Sequence, residues 1–352
     1  MHYFCILSIQ KEKLMNRCIQ VILTLILVVS CKSTELPKNN ELVLAFGSCN
    51  KQFVENVLWK EVLKHKPKVW IWGGDNVYSD TDDMEKLKDD YDQVLQQEDY
   101  QNLINSTQIL GTWDDHDYGM NDGGTEFHAK NESQKQFLDF MGVDPNDIRR
   151  EREGVYHSEI IHSKEGSVKV ILLDTRYFRT QLTKSETKGR RFDPNPYGEG
   201  TILGKTQWRW LKEELNSSLA DFNLIVSSIQ VISEEHGFET WGTMPHQREN
   251  LLNMIKNTKA KNVVVLSGDR HISEFSKIEM NSMKYPLIDF TSSGLTHSYD
   301  RFSGEPNQYR TGDVVSDISF GVLKFNFKTK TVTMQMRGAG NVLQQELIQK
   351  YK

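Results

Sequence analysis

The chain has 352 residues, with 43 Lys and Arg against 48 Asp and Glu, so its formal net charge is −5. Hydrophobic residues make up 38% of the sequence, and together with 23 glycines they reach the low edge of globular composition, which excludes a disordered chain. The slight acidic excess argues against a dedicated nucleic-acid binder, because no domain-wide basic excess is available to neutralise phosphates. A small phosphorylated substrate is still compatible with this charge, since a local metal site can offset it.

The first 31 residues are predicted to lie outside the fold. An apolar run at residues 19–29 follows Arg17 and precedes Ser30 and Cys31, which is the layout of a signal peptide. A cysteine directly after Val-Val-Ser resembles a bacterial lipoprotein signal. We therefore expect acylation of Cys31 and a membrane-anchored lipoprotein in the cell envelope, facing the periplasm or the cell surface. An uncleaved anchor helix is the alternative.

The segment that follows the signal is polar, and we interpret residues 32–40 as a tether before one domain over residues 41–352. Either Met1 or Met15 is the true start. Cleavage and acylation at Cys31 leave Cys49 as a single thiol in an exported protein. Such a thiol is either a small buried hydrophobe, a metal ligand or a nucleophile.

Strand-like and helical patterns alternate along most of the domain. The short apolar runs of strand length are residues 41–46, 68–72, 108–112, 168–173, 223–227 and 262–266. The helical patterns are residues 53–65, 83–104, 128–141, 205–219 and 246–257. Residues 183–201 are predicted to form a long loop, and residues 272–293 and 318–337 antiparallel strands. The order indicates an α/β chain that ends in β-hairpins.

Four of the strand-like runs end in residues that bind metals. These residues are Cys49 after the first run, Asp75 and Tyr78 after the second, Asp114, Asp115, His116 and Asp117 after the third, and Asp269 and His271 after the last. Ligand sites of α/β sheets lie at the carboxyl ends of strands. Each cluster alone is explained by a turn or a solvated loop. Carboxylates gathered in one crevice repel each other unless cations neutralise them, so the set as a whole predicts a metal site.

The motifs resemble those of the PhoD-type alkaline phosphatases, a branch of the calcineurin-like metallophosphoesterases. The residues that carry the resemblance are Gly47-Ser48-Cys49-Asn50, Gly74-Asp75-Asn76-Val77-Tyr78, Trp113-Asp114-Asp115-His116-Asp117 with Asn121, Leu173-Asp174-Thr175-Arg176 and Gly268-Asp269-Arg270-His271. Together with weaker matches they cover residues 42–297 in family order. The sequence departs from the family's motifs at two positions: Asp117 stands where Glu is common, and Arg270 lies inside the last motif.

The resemblance implies a four-layer α/β/β/α sandwich and a site that holds ferric iron (Fe3+) and calcium (Ca2+). It implies iron bound by Cys49, Asp75, Tyr78 and His271, with Asp75 bridging to the second metal. Thiolate and phenolate ligands suit iron, whereas calcium prefers carboxylate and amide oxygens. The ligands implied for the second position are Asp115, Asn121 and Asp269, with Asp114 and Asp117 as competitors.

Such a site predicts hydrolysis of a phosphate ester by a water that the metals activate. His116 either donates a proton to the leaving group or merely orients a ligand. The planar guanidinium of Arg176 suits a phosphate oxygen, although a structural contact with Asp174 fits equally well. The sequence contains no Gly-x-Ser-x-Gly elbow and no P-loop, so a serine hydrolase or an NTP-binding P-loop protein finds no support.

Several charged or titratable residues outside these motifs are interpreted separately from the metal site. Asp80-Thr81-Asp82-Asp83 is interpreted as a helix N-terminus, where negative charge is favourable. His297 is a candidate to line the pocket. Lys188, Arg190 and Arg191, on the long loop, either meet an anionic substrate or are solvated.

The leading functional prediction is an exported, metal-dependent phosphoesterase that acts on a phosphorylated small molecule or a phosphodiester. A phosphodiesterase or phospholipase D-like activity is the alternative within that class. A non-catalytic, metal-stabilised binding lipoprotein is the alternative from another class. The sequence does not indicate an oligomeric state.

Overall fold

The computed structural model describes residues 41–281 and 283–351. The predicted signal, Cys31 and the tether lie outside these described residues. Two large β-sheets dominate the described chain, as predicted for an α/β protein. Within it, no helix combines the length and the apolar character needed to cross a bilayer.

Six strands form the first sheet, in the order β15-β14-β13-β1-β2-β3. They are β1 Leu42–Gly47, β2 Val69–Gly73, β3 Gln108–Thr112, β13 Phe320–Asn326, β14 Thr331–Arg337 and β15 Leu343–Lys350. β1, β2 and β3 are parallel, and the C-terminal strands join β1 in antiparallel pairs. The predicted C-terminal hairpin is therefore present as β13 and β14.

Seven strands form the second sheet, in the order β12-β10-β11-β9-β8-β5-β4. They are β4 His157–His162, β5 Ser167–Leu172, β8 Phe222–Val226, β9 Val263–Ser267, β10 Ser273–Ile278, β11 Leu287–Ser292 and β12 Arg310–Val315. β5, β8, β9 and β11 run parallel, so their carboxyl ends lie at one edge of the sheet. Two strands of two residues each, β6 Thr183–Lys184 and β7 Phe192–Asp193, form a short antiparallel hairpin in the predicted long loop.

Alternation of side chains along the strands builds the layers. In β1, Leu44 and Phe46 belong to a core shared with the second sheet, while Ala45 belongs to a core shared with the helices. In β2, Ile71 likewise faces the other sheet, and Trp70 faces the helices. Because both faces of the parallel strands are covered, these runs are almost continuously apolar.

Seven helices lie within the described residues. They are α1 Trp59–Lys64, α2 Met84–Leu95, α3 Glu98–Ile104, α4 Asp115–Tyr118, α5 Lys130–Phe140, α6 Gly204–Ser217 and α7 Pro245–Asn257. Side chains of α1, α2, α3 and α5 pack on the outer face of the first sheet. Side chains of α6 and α7 pack on the outer face of the second. The predicted four-layer α/β/β/α sandwich is confirmed.

Besides the short β6 and β7, three strands of the two large sheets were not predicted, and all three are sheet edges. β4 and β12 end the second sheet and β15 ends the first. Their side chains are largely exposed or half-buried, so the sequences are polar and lack a strong apolar alternation. Two helix predictions were also too long. Residues 53–58 form a turn before α1, and extended backbone at Gln97 separates α2 from α3.

The carboxyl ends of the two sheets come into direct contact, and two glycines allow it. A Cβ on Gly268, after β9, would lie 2.5 Å from Ser48 Oγ and 2.9 Å from the carbonyl oxygen of Gly73. A Cβ on Gly74, after β2, would lie 3.0 Å from the Cβ of Ser228, which follows β8 of the second sheet, and the φ of +101° at Gly74 also favours glycine. The polar segments that follow the strands therefore share one crevice.

Gly268→Ala is predicted to destabilise the protein by about 1–3 kcal/mol, because the added methyl group presses on backbone that cannot move aside. It should also lower metal content, since it separates the two strand ends. Urea denaturation and elemental analysis measure the two effects. Gly294→Ala is the matched control, because the nearest atom to its added Cβ lies 3.5 Å away. Equal stability of the two variants would contradict the prediction.

Candidate metal centre

Loops that follow four parallel strands carry the predicted ligands into the crevice between the sheets. Cys49 follows β1, Asp75 follows β2, Asp115 follows β3, and Asp269 and His271 follow β9. The side chain of Thr112 also crosses between the sheets and donates to the carbonyl oxygen of Leu173 at 2.7 Å. This hydrogen bond holds the end of one sheet against the end of the other beneath the site.

The backbone at these positions is unusual. Cys49, Asp75, Asp269 and His271 all have positive φ, at 63°, 51°, 68° and 53°. Residues with a Cβ rarely adopt this conformation, which costs on the order of 1–3 kcal/mol each. Strain shared by four predicted ligands indicates that the loops hold these side chains for a function rather than for stability alone.

The predicted iron ligands are brought together. Ligand atoms of Cys49, Asp75 and His271 lie within 4.8 Å of one another. The Cys49 thiol lies 3.3 Å from Asp75 Oδ2. The Tyr78 hydroxyl lies 3.3 Å from the same oxygen and 2.8 Å from His271 Nε2. One sulfur, one carboxylate, one phenol and one imidazole therefore converge on a single small space.

A second group of acids lies next to the first. Ligand atoms of Asp114, Asp115 and Asp269 lie within 4.8 Å of one another, as do those of Asp75, Asp115 and His116. Asp114 Oδ2 and Asp115 Oδ1 are buried and have no hydrogen-bond partner among the described residues. A buried carboxylate oxygen without a partner is costly, and a bound cation removes that cost. The donor set therefore fits two adjacent metal ions, with Asp75 common to both groups.

Burial opposes ionisation throughout the cluster. It raises the pKa of Asp75 well above its usual value, and the neighbouring Cys49 and Asp115 raise it further. Burial likewise raises the pKa of Asp269, with Asp114 adding to the effect, and raises the pKa of the Cys49 thiol to about 11. A bound cation would offset these effects, because it favours the ionised form of each ligand.

Asp115 is the exception among the acids. Burial disfavours its charge too, but the charges of Arg176 and His116 outweigh that effect and hold the pKa of Asp115 below its usual value. Asp115 Oδ2 also accepts hydrogen bonds from the Asn121 amide at 2.9 Å and from the backbone N–H of Asp122 at 2.6 Å. Asp115 is thus held as an anion with its other oxygen turned to the crevice.

The structure distinguishes Asp114 from Asp117, the two residues that compete as ligands of the second metal position. Asp117 is turned away from the metal groups, where it accepts from the Asn76 amide at 2.6 Å and from the backbone N–H of Asp114 at 2.7 Å. Asp114 stays a candidate ligand through its free Oδ2. Asn121 lies beside Asp115, with its oxygen accepting from Arg191 at 2.6 Å.

His116 lies at the mouth of the cluster. Its ring packs on Tyr78 with centroids 4.0 Å apart, and its Nδ1 lies 2.8 Å from Asp80. Burial disfavours the imidazolium, but Asp75 and Asp80 outweigh it and raise the pKa of His116 to about 10. Sequence analysis missed the contact of Asp80 with His116, because Asp80 lies in the same acidic segment as Asp83, which does cap α2 as predicted. No motif in the sequence distinguishes the two.

Arg176 is placed differently from the prediction. Its guanidinium is fully buried, with Nε 2.6 Å from Asp114 and Nη1 2.6 Å from Glu239. The predicted alternative contact with Asp174 involves only the Arg176 backbone N–H. A buried, doubly paired side chain cannot meet a substrate in the open part of the site. The structure therefore corrects Arg176 from a phosphate-binding residue to one that positions Asp114.

Glu239 is a second residue that sequence analysis missed. It accepts from Arg176 and lies 3.0 Å from Arg179 Nε, so one buried carboxylate holds two arginines under the site. Its sequence neighbourhood has no metal-binding or catalytic pattern. Only the packing of the loop before α7 reveals its role.

Two of the candidate lining residues lie at the site. His297 is half-buried, with its ring centroid 4.5 Å from that of His271 and 5.0 Å from that of Tyr78. Arg191 lines a cavity of about 200 Å³ over the two groups of candidate metal ligands, whereas Lys188 and Arg190 do not line it. The cavity walls also include Asp115, His116 and Asp269.

Comparison with known proteins connects this arrangement to characterised relatives. The sequence profile of the family described as PhoD-like phosphatase matches residues 44–346. Alkaline phosphatase D of Bacillus subtilis (strain 168) is 31% identical over 137 residues, which cover 36% of this chain and 24% of that protein. The match thus spans about a quarter of the curated relative.

Three solved structures share the fold. The structure of PhoD has a TM-score of 0.68 at 17% identity, and the match covers 88% of this chain and 68% of that one. GAP50, described as the anchor in the inner membrane complex of Plasmodium, has a TM-score of 0.56 at 15% identity, covering 89% of both chains. A dimetal phosphatase from Danio rerio has a TM-score of 0.52 at 13% identity, covering 88% and 99%. At these identities the matches establish the fold alone.

Arg176→Met is predicted to lower the free energy of unfolding by about 3–5 kcal/mol, because it leaves buried Asp114 without its ion-pair partner and removes one of the two arginines that pair with Glu239. Urea denaturation measures the change. Lys60→Met is the matched control: it breaks the exposed 3.3 Å pair with Asp99, whose expected contribution is below about 1 kcal/mol. A loss for Arg176→Met no larger than that of the control would refute the positioning role.

Proposed function

The chain belongs to the PhoD-like phosphatase family, and from that premise we propose that it is a metal-dependent phosphoesterase that hydrolyses phosphate esters with water as the nucleophile. One observation carries the proposal. Asp75, Asp114, Asp115 and Asp269 are packed in one crevice, and two of their buried oxygens have no hydrogen-bond partner among the described residues. A site of this kind favours cations and, through them, a phosphoryl group.

The side chains divide into two ligand sets. We propose that Cys49, Asp75, Tyr78 and His271 hold one metal ion, and that Asp75 is shared with a second. The second set comprises Asp115, Asp269, Asn121 and the free oxygen of Asp114. Bound cations supply charge neutralisation for the phosphoryl oxygens and activation of a water molecule at neutral pH.

The first ligand set favours ferric iron over other metals. A thiolate and a phenolate are anionic, strongly donating ligands that suit a strongly Lewis-acidic metal such as ferric iron, and the imidazole of His271 completes a set that calcium would not select. The oxygen-only character of the second set suits calcium. The identities Fe3+ and Ca2+ follow from this donor chemistry and from the family resemblance.

His116 is the residue best placed to handle a proton. Asp80 holds its Nδ1, which leaves Nε2 available for a substrate or a leaving group. Asp75 and Asp80 raise the pKa of His116 to about 10, which favours the protonated ring. We propose that Nε2 donates to the leaving oxygen or to a phosphoryl oxygen of the substrate.

We also propose that the protein is an exported lipoprotein. The support is the sequence alone, namely the apolar run that ends at Val-Val-Ser before Cys31. A phosphoesterase placed outside the cytoplasm would act on organic phosphates of the surroundings. Acylation at Cys31 would keep it at the membrane.

Asp75→Asn is predicted to lose metal and turnover together, because the carboxylate is common to both ligand sets. The purified protein is assayed on 4-nitrophenyl phosphate and on bis(4-nitrophenyl) phosphate, before and after chelation, with elemental analysis alongside. Asp89→Asn, at an exposed position on α2, is the control and should keep both properties. Full metal content and activity in Asp75→Asn, or chelation without effect on the wild type, would reject the metal-dependent mechanism.

Cys49→Ser is predicted to weaken iron binding and to bleach or shift a visible absorption band. A thiolate and a phenolate on ferric iron give charge-transfer absorption, so the concentrated wild-type protein should be coloured. Visible spectroscopy and iron analysis are the measurements, and Ser133→Ala, a buried substitution on α5, is the control. If Cys49 only filled space, Ser would change stability by about 1 kcal/mol and leave iron and colour intact.

Cys31→Ala is predicted to release the protein from the membrane or to block its processing, because the acylated residue is removed. Membrane fractionation and metabolic lipid labelling are compared for the variant and the wild type. Cys18→Ala, within the predicted signal, is the control and should leave both readouts unchanged. Unaltered fractionation and labelling of Cys31→Ala would exclude the lipoprotein proposal.

A further inference from the structure

A groove of about 400 Å³ lies beside the smaller cavity over the candidate metal ligands. Asn121, Asp122 and Arg191 line both spaces, so the groove adjoins the metal centre directly. The metal-binding side chains do not account for this groove. Its position next to the reacting phosphorus of a bound ester makes it a candidate site for another part of the substrate.

One wall of the groove is tied to a predicted ligand. Asn121 and Asp122 both donate to Asp115 Oδ2, at 2.9 and 2.6 Å. Behind them, Gly124 packs so closely on Arg179 that a Cβ would lie 2.2 Å from its carbonyl oxygen. The wall therefore has a fixed position relative to Asp115, and the space beside it is preformed.

The opposite wall is the β6–β7 hairpin. Leu182 and Phe192 anchor it in the core beneath α6 and α7. The backbone N–H groups of Arg191 and Phe192 both donate to the carbonyl oxygen of Gly237, at 2.7 and 3.0 Å. Arg191 then reaches across to Asn121 Oδ1 at 2.6 Å and to the carboxylate of Asp122. The two walls are thus joined next to the metal centre.

The lining suits an organic group rather than a second metal or a free anion. Apolar surface comes with polar groups that can hydrogen-bond, from Met120, Leu182, Phe192, Gln181, Ser185 and Lys184. The charges of Lys184 and Arg191 are balanced by those of Asp122 and Glu126, so the groove does not require a charged ligand. Its volume is about twice that of the cavity over the metals.

We propose that this groove binds the alcohol part of the substrate, and that the enzyme selects phosphate esters of organic alcohols at least as large as an aromatic ring. The inference rests on the proposed function, since it assigns the phosphoryl group to the metal centre. Esters of short alcohols leave the groove empty and gain nothing from its apolar surface. Larger alcohols bury that surface and are held in one orientation.

The test compares two phosphonates, which mimic the ester but are not hydrolysed. Phenylphosphonate reaches the groove, and methylphosphonate does not. Isothermal titration calorimetry of the metal-loaded protein measures their dissociation constants in the wild type, in Ser185→Trp and in Gln181→Trp, two variants that place an indole in the groove. Ser185→Ala is the matched control, because it loses the same hydrogen bond between Ser185 Oγ and the backbone N–H of Thr187 without adding bulk.

The expected result is that both Trp variants weaken phenylphosphonate at least tenfold and change methylphosphonate less than twofold, with Ser185→Ala close to the wild type. Unchanged phenylphosphonate binding in both Trp variants, or equal weakening of both phosphonates, would overturn the inference. Turnover of 4-nitrophenyl phosphate by the wild type is measured separately. Its absence would defeat the proposed function, whereas the binding comparison would still decide what the groove holds.

Discussion

The repulsion among buried carboxylates at the meeting point of the two sheets is the constraint on which the rest of the structure depends. Asp75, Asp114 and Asp115 are buried and Asp269 is partly buried beside them, and within the described residues only Asp114 of these four has a direct ion pair, with Arg176. Burial and the neighbouring acids raise the pKa of Asp75 and of Asp269, so negative charge on these groups is unfavourable without a nearby cation. Bound cations would make the arrangement favourable, which is why we interpret it as a metal centre.

The fold serves this constraint at several levels. Parallel strands in both sheets direct their carboxyl ends to one edge, and Gly74 and Gly268 let these ends touch. Positive φ at Cys49, for example, turns its thiol into the crevice at the expense of backbone strain. Beneath the acids, Glu239 holds Arg176 and Arg179, and Arg176 in turn holds Asp114. Asp114 is therefore positioned by a buried ionic network.

Much of this was predictable because buried strands and strand-end motifs leave strong local patterns. The central strands, such as β2 and β9, are continuous apolar runs that end in Gly-Asp, and their ends meet as predicted. The edge strands β4, β12 and β15 escaped prediction because half of their surface faces solvent and their sequences are polar. Asp80 and Glu239 escaped for a different reason: each acts through a contact distant in sequence, with His116 and with Arg176, that no local spacing encodes.

The stability of the metal-free protein tests the central claim most directly. Metal is removed by chelation, its loss is verified by elemental analysis, and the unfolding temperature is measured before removal, after removal and after metal is returned. If cations neutralise the buried acids, removal must lower the unfolding temperature by several degrees and return of metal must restore it, since a ligand that binds only the folded state stabilises it. An unfolding temperature that stays the same after verified removal would contradict the account, because the carboxylate cluster would then be stable without cations.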